Sequence, residues 1–190
     1  MVLTHDLINK GFSLQQVNTD DLEQYINIKR ACTKKYVDEY NGGWIEDIQI
    51  IINTERFHKM KNMTCFQKIL LCDTTVGFFT FQEQLDKIGE ISLPLIESAK
   101  HKGMEAFYLK HITSLSLETG KPIFLYMYKS DPANDLFKEF GFKIYDQSRT
   151  HYFLSFLPKD TNQENHTYNP RSYMNRLFKN GSAESMVESS

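Results

Sequence analysis

Cysteine, tryptophan, proline and net charge are all scarce in this 190-residue chain. It holds three cysteines, one tryptophan and five prolines, and its formal net charge is −2. Cys32, Cys65 and Cys72 are odd in number and form no C-x-x-C pair, so no disulfide framework is expected. That usage fits buried, reduced thiols and a cytoplasmic protein. The six histidines are scattered, none at ligand spacing from a cysteine, so no metal is expected. A near-neutral chain has no global drive toward nucleic acid or an anionic membrane surface. No apolar run is long enough to span a bilayer. The N-terminus, Met-Val-Leu-Thr-His-Asp, lacks the basic and apolar regions of a signal peptide. A serine-nucleophile elbow, a P-loop and a G-x-G-x-x-G fingerprint are also missing.

What is present reads as one domain over residues 1–157, followed by a polar tail over 158–190. Phe12 to Val17 alternates as a strand does. A helix runs from Leu22 toward Tyr36, with Leu22, Tyr25, Ile26 and Ile28 as apolar positions, and Asn41-Gly42-Gly43 breaks it. A second helix starts at Trp44-Ile45-Glu46, with Ile48, Ile51, Ile52 and Phe57 as its expected inner face. Three strands follow: Phe66 to Cys72, Thr75 to Gln82 and Ile88 to Ile96, the first two joined by a tight turn at Asp73-Thr74. A helix after Gly103 turns Phe107, Ile112, Leu115 and Leu117 inward, and Gly120-Lys121-Pro122 ends it. Ile123 to Tyr128 is a strand with little alternation, expected to be covered on both faces. Pro132 to Phe140 is a short helix stopped by Gly141, and Phe142 to Tyr145 with His151 to Leu157 forms a closing hairpin. The order is β-α-α-β-β-β-α-β-α-β-β. In the tail, Tyr173, Met174, Leu177 and Phe178 suit a short docking helix over 172–179, and Gly181 to Ser190 has the composition of disorder.

The stretch from Ile88 to Leu117 carries the strongest chemical signal. A strand feeds a turn, Lys100-His101-Lys102-Gly103, which feeds a helix. Unpaired backbone N–H groups and the helix dipole make such a turn an anion seat. Lys100, His101 and Lys102, with the N–H groups of Lys102, Gly103 and Met104, are the phosphate candidates. Pro94, inside the preceding strand, cannot donate to a ladder and marks either a bulge or splay or the end of an edge strand.

On these features Phe12 to Leu157 resembles the GCN5-related N-acetyltransferase family. The element order is similar. The turn is similar to the family's Gln/Arg-x-x-Gly-x-Gly/Ala signature, with Lys100 on the first position, Gly103 on the first glycine and Glu105 where the family has Gly or Ala. Ala133-Asn-Asp-Leu136-Phe137-Lys-Glu-Phe140-Gly141-Phe142 is similar to Asn-x-x-Ala-x-x-Leu-Tyr-x-x-x-Gly-Phe, with Ser130 on the Asn and Phe137 on the Tyr. Tyr36 to Gln49 looks like the acceptor-side loop of bacterial members. The resemblance implies an α/β fold of the acyl-CoA N-acyltransferase type: a mostly antiparallel central sheet, splayed at its fourth and fifth strands and flanked by helices. It implies acetyl-CoA as co-substrate, a small-molecule or peptide amine as acceptor, and a homodimer through the closing strands.

The resemblance also distributes roles. Leu93, Leu95, Lys100, His101, Lys102, Gly103, Met104, Ala133 and Phe137 fall on the cofactor side. Tyr36, Tyr40 and Trp44, with Glu46 beside them, fall on the acceptor side. Lysine-like amines hold their proton to a pKa of roughly 10.4, so a base is needed, and Glu90 is the candidate. Phe137 has no hydroxyl to protonate the leaving thiolate, so the acid is Tyr128 or Tyr126, or the thiolate leaves without one. Phe137 and Glu105 keep a second reading open: a weak or inactive domain of this fold that binds acyl-CoA or a partner protein. In a third, function lies in the tail.

Overall fold

A computed structural model describes residues 1–158. In chain order its elements are α1 (His5–Asn9), β1 (Phe12–Gln16), α2 (Leu22–Tyr40), α3 (Glu46–Met60), β2 (Cys65–Leu71), β3 (Thr74–Glu83) and β4 (Ile88–Ser92). Then come α4 (Met104–Thr119), β5 (Ile123–Tyr128), α5 (Ala133–Glu139), β6 (Lys143–Gln147) and β7 (His151–Phe156). The expected order holds, with α1 added. That helix is too short to show a period in sequence. It forms because Thr4 caps it, accepting the Leu7 N–H at 3.4 Å, and because Leu7 is buried. The tail, with its expected helix over 172–179, lies outside the described residues.

Seven strands form one sheet in the order β1-β2-β3-β4-β5-β7-β6. Neighbours are antiparallel except β4 and β5. Side-chain alternation builds two cores. Phe79 and Phe81 face α4, packing with Tyr108, Leu109 and Ile112. Phe66 and Phe78 face α2 and α3, packing with Tyr25, Phe57 and Met60. A buried ion pair, Lys68 Nζ to Asp21 Oδ1 at 2.7 Å, fixes the start of α2 to β2.

Six expectations change. β5 is covered on both faces only over Ile123 to Leu125, since Tyr126 is exposed, and the thiols are not all buried, since Cys72 lies exposed in a turn. The β2–β3 turn sits one residue early, at Cys72 and Asp73, both left-handed (φ 48° and 64°), as a two-residue hairpin demands. α3 turns Asn53, Phe57 and Met60 inward, leaving Ile48, Ile51 and Ile52 about half exposed. Phe57 decides this, because its ring packs edge-on against Phe66 at 5.4 Å and tilted against Tyr25 at 5.5 Å. Leu117 points outward, one place beyond the buried Ser116. The strand expected to run to Ile96 breaks after Ser92.

That break opens the sheet. Between the pairs Gln82↔Gly89 and Thr80↔Ser92, Glu90 and Ile91 oppose the single residue Phe81. This is a β-bulge, with Glu90 at φ 53°, and the Thr80 hydroxyl donates to the Glu90 carbonyl at 3.0 Å. Beyond Pro94 the chain stays with β3: the Phe78 N–H donates to the Pro94 carbonyl at 3.0 Å and the Ile96 N–H to the Val76 carbonyl at 2.9 Å. β5 therefore pairs with β4 only at Ile88↔Ile123. The splay expected from Pro94 is present.

Gly77 makes the crossing possible. A Cβ there would lie 2.7 Å from both the Pro94 carbonyl oxygen and Leu95 Cδ1. Gly77→Ala should cost about 1–3 kcal/mol by overpacking, read as a lower urea midpoint; an unchanged midpoint would show that the Pro94–Leu95 segment is free to move aside.

Candidate active site

The splay has an inner wall and a floor. In the antiparallel bridge Gly77↔Leu95, the flanking residues make the hydrogen bonds to β3. The N–H and carbonyl of Leu95 therefore point the other way, into the opening. Its carbonyl accepts the Cys32 thiol at 3.3 Å, which ties α2 to the inner wall. Leu93, just after the break, is half-buried against the α4-side core.

The chain next makes a 3-10 turn over Glu97–Ala99 and enters the basic loop. His101 and Gly103 are both left-handed, at φ 58° and 100°. Gly103 is the N-cap of α4. α1 braces this loop from outside: Lys10 Nζ donates to the Lys102 carbonyl at 3.2 Å, and Leu7 lies beside Gly103. Lys100 is held by Glu97 at 2.8 Å, whose hydrogen bond keeps its pKa raised. Met104 is fully buried, and its side chain belongs to the α4-side core. Glu105 folds back along the loop, and its carboxylate accepts the His101 N–H at 3.0 Å. A negative oxygen thus sits on a loop N–H one residue before the donors expected to face an anion.

α2 closes the far side. The Tyr128 ring stacks on Tyr36 at 4.8 Å and on Tyr40 at 5.5 Å, nearly parallel to both. His151 packs against it at 4.2 Å, and its hydroxyl donates to Asn41 Oδ1 at 3.4 Å. Burial raises the Tyr128 pKa. Tyr36 is buried, and burial followed by the neighbouring Asp131 carboxylate pushes its pKa up to about 12. Asp131 also accepts the Ala133 N–H at 2.9 Å, which starts α5. Asn134 locks this corner through its side-chain amide, donating to the carbonyls of Tyr128 at 2.8 Å and Asp131 at 2.7 Å. Phe137 turns its ring edge to Phe142 at 5.1 Å.

Around the bulge the charges are mixed. Lys59 Nζ lies 3.7 Å from the Glu90 carboxylate, and both are largely exposed. Arg56 and the exposed Tyr126 lie within mutual hydrogen-bonding reach near Glu90. Lys29, half-buried on α2, has its ammonium pushed down to about 8, first by burial and then by Arg56.

No family model matches the chain, and no curated protein sequence does. Solved structures do match. The PaiA N-acetyltransferase of Thermoplasma acidophilum, solved with coenzyme A, has TM-score 0.58 at 17% identity, over 77% of this chain and 98% of that one. The ribosomal-protein-S18-alanine N-acetyltransferase of Escherichia coli has TM-score 0.56 at 14% identity, over 83% and 99%. Arabidopsis thaliana Naa50, solved with a bisubstrate analogue, has TM-score 0.51 at 15% identity, over 77% and 98%. The chain has the GCN5-related N-acetyltransferase fold.

Within that fold the predicted residues fall into groups. Leu95 lines the splay, and Lys100 to Met104 form the loop beside it. Tyr36, Tyr40 and Tyr128 form one stack. Trp44 stands outside that stack: its N–H donates to Asp38 Oδ1 at 2.8 Å and its indole to Glu46 Oε2 at 2.9 Å. Glu46 is further held by Arg30. Sequence reasoning missed Lys29, Cys32, Arg56 and Asp131. None belongs to a motif, and only the packing of α2, α3 and β5 brings them to the opening. Among the described residues no group of histidine, cysteine and carboxylate side chains suits a metal ion. No described helix is long and apolar enough to cross a membrane.

Lys29 yields a signed pH dependence. Its pKa is about 8 in the fold against an ordinary value of 10.5. Between those values the unfolded chain binds the proton and the folded chain does not, so stability rises with pH across that window. Lys29→Met should flatten the rise in urea midpoints between pH 8 and 10.5; parallel curves would mean that Lys29 keeps its proton in the fold.

Proposed function

We propose that this chain is an acetyl-CoA-dependent N-acetyltransferase, passing an acetyl group to the primary amine of a small molecule or peptide. The observation that carries the reading is the opened β4–β5 edge running directly into a left-handed basic loop at the start of α4. An extended thioester arm fits the first and a pyrophosphate the second. The Glu105 carboxylate on the His101 N–H supports the fit, because a loop N–H there already holds an anionic oxygen, although Glu105 would compete for that donor.

Bound acetyl-CoA supplies a thioester whose carbonyl carbon accepts the amine and whose sulfur leaves as a thiolate. The inward Leu95 N–H, with the backbone near Leu93, is suited to polarise the carbonyl oxygen. Lys100, His101, Lys102 and the backbone from Lys102 to Met104 hold the phosphates, and Ala133 and Phe137 flank the arm from α5. Glu90, turned by the bulge toward the exposed face of α3, takes the proton from the amine, directly or through water. Tyr128 is the proton donor to the departing sulfur: its raised pKa keeps the hydroxyl protonated at neutral pH, and Phe137 has no hydroxyl to offer. Tyr36, Tyr40 and Trp44 border the acceptor entry. The reduced-thiol composition supports a cytoplasmic setting, and the family resemblance supports a homodimer through the closing strands.

Phe137 and Glu105 favour a second reading, in which the domain binds acyl-CoA without turning it over. Thermal-shift and thiol-release assays separate the two. Coenzyme A at 100-fold excess over its dissociation constant should stabilise the protein by about 2.7 kcal/mol. Glu105→Ala should tighten binding about tenfold by freeing the His101 N–H. No shift with millimolar coenzyme A would sink both readings. Binding without thiol release for any amine would leave the second.

If turnover is found, Glu90→Gln should lower kcat by roughly 100-fold or more at neutral pH. Phe137→Tyr should raise kcat if proton donation limits it. An unchanged rate in Phe137→Tyr together with a loss in Tyr128→Phe would assign the acid to Tyr128.

A further inference from the structure

α3 carries an outward apolar stripe. Ile45, Ile48, Ile51 and Ile52 are 47–59% exposed, on the side opposite the buried Asn53, Phe57 and Met60. Single exposed isoleucines are ordinary, but four on one helix face form a surface that soluble proteins seldom leave uncovered. Asp47 and Glu55 lie along the same stripe at helical spacing from Ile51.

The chain contains a segment of matching chemistry. Tyr173, Met174, Leu177 and Phe178 recur at i, i+1, i+4 and i+5, one face at helical spacing. Ser172 precedes them as a helix start and Gly181 follows as a stop. Arg171 and Arg176 flank the apolar arc, with Lys179 beyond. From Leu157 to Tyr173 the chain advances sixteen residues (173 minus 157), enough to span about 50 Å when extended. A domain of this size is narrower than that.

We propose that residues 172–180 of this same chain dock along α3, with their apolar side on Ile48, Ile51 and Ile52 and their basic side chains toward Asp47 and Glu55. The tail brings basic side chains to these acidic groups. It is also tethered to the same chain, so its effective concentration at the stripe exceeds that of a second copy.

Hydrogen exchange followed by mass spectrometry on the full chain tests this. In the wild type, amides within 172–180 should exchange at least about tenfold more slowly than an unstructured segment. Ile48→Asp with Ile52→Asp should abolish that protection while leaving the melting temperature of the domain unchanged. Leu177→Asp with Phe178→Asp, acting from the other partner, should abolish it too and increase binding of an apolar dye. Asp47→Arg with Glu55→Arg should weaken it, and adding Arg171→Glu with Arg176→Glu should restore it. Random-coil exchange of 172–180 in the wild type would overturn the proposal. So would protection that survives the isoleucine changes, or protection that disappears on dilution along with a dimer mass.

Discussion

The contact between Gly77 and the Pro94–Leu95 segment is the constraint on which the rest depends. Because Gly77 has no side chain, the chain after the β4 bulge can lie close over β3 and pair with it there. That pairing withholds the segment from β5, so the edge of β5 beyond Ile123 stays open. The same crossing aims the Leu95 backbone into the gap and delivers the chain to the basic loop at the start of α4. The bulge at Glu90 and the crossing at Gly77 act together, one leaving the ladder and the other fixing where the departing chain goes.

Charge is then distributed on the two sides of the opening in different ways. On the loop side, positive side chains and backbone donors are partly answered from within: Glu97 holds Lys100, and Glu105 holds the His101 N–H. An incoming phosphate would exchange one anion for another, so the contribution of that seat to affinity is smaller than its composition suggests. On the bulge side, Arg56 and Lys59 surround Glu90 while Lys29 is pressed toward its neutral form. Arg56 links the two, lying near the Glu90 carboxylate and also pressing on the half-buried Lys29 ammonium.

Much of this was legible in the chain. The strand–turn–helix at Ile88 to Leu117 announced an anion seat because its parts are contiguous, and Pro94 marked an irregular strand because proline cannot donate to a ladder, with the splay itself coming from the family resemblance. The Gly141-Phe142 stop and the Asn41-Gly42-Gly43 break were readable for similar local reasons. What failed to read was rotation about a helix axis. In α3 the isoleucines outnumber the aromatics, and apolar counting put them inside. The larger rings of the Tyr25–Phe57–Phe66 cluster took the core and left the isoleucines out. α1 was missed because five residues carry no period, although its one buried leucine and one lysine brace the loop.

Sequence alone therefore determined the element order from β1 onward, the basic turn and its closing glycine, the proline in the irregular strand, and the absence of a tyrosine at position 137. Each of these is set by backbone chemistry within a few residues. Tertiary structure decided which groups meet. It brought Arg56 and Lys59 of α3 to Glu90 on β4 and Lys29 of α2 to Arg56, stacked Tyr128 on Tyr36 and Tyr40, and folded Glu105 back onto His101. Such meetings depend on how two helices sit on a twisted sheet and on which side chains win the core. No local pattern encodes that competition.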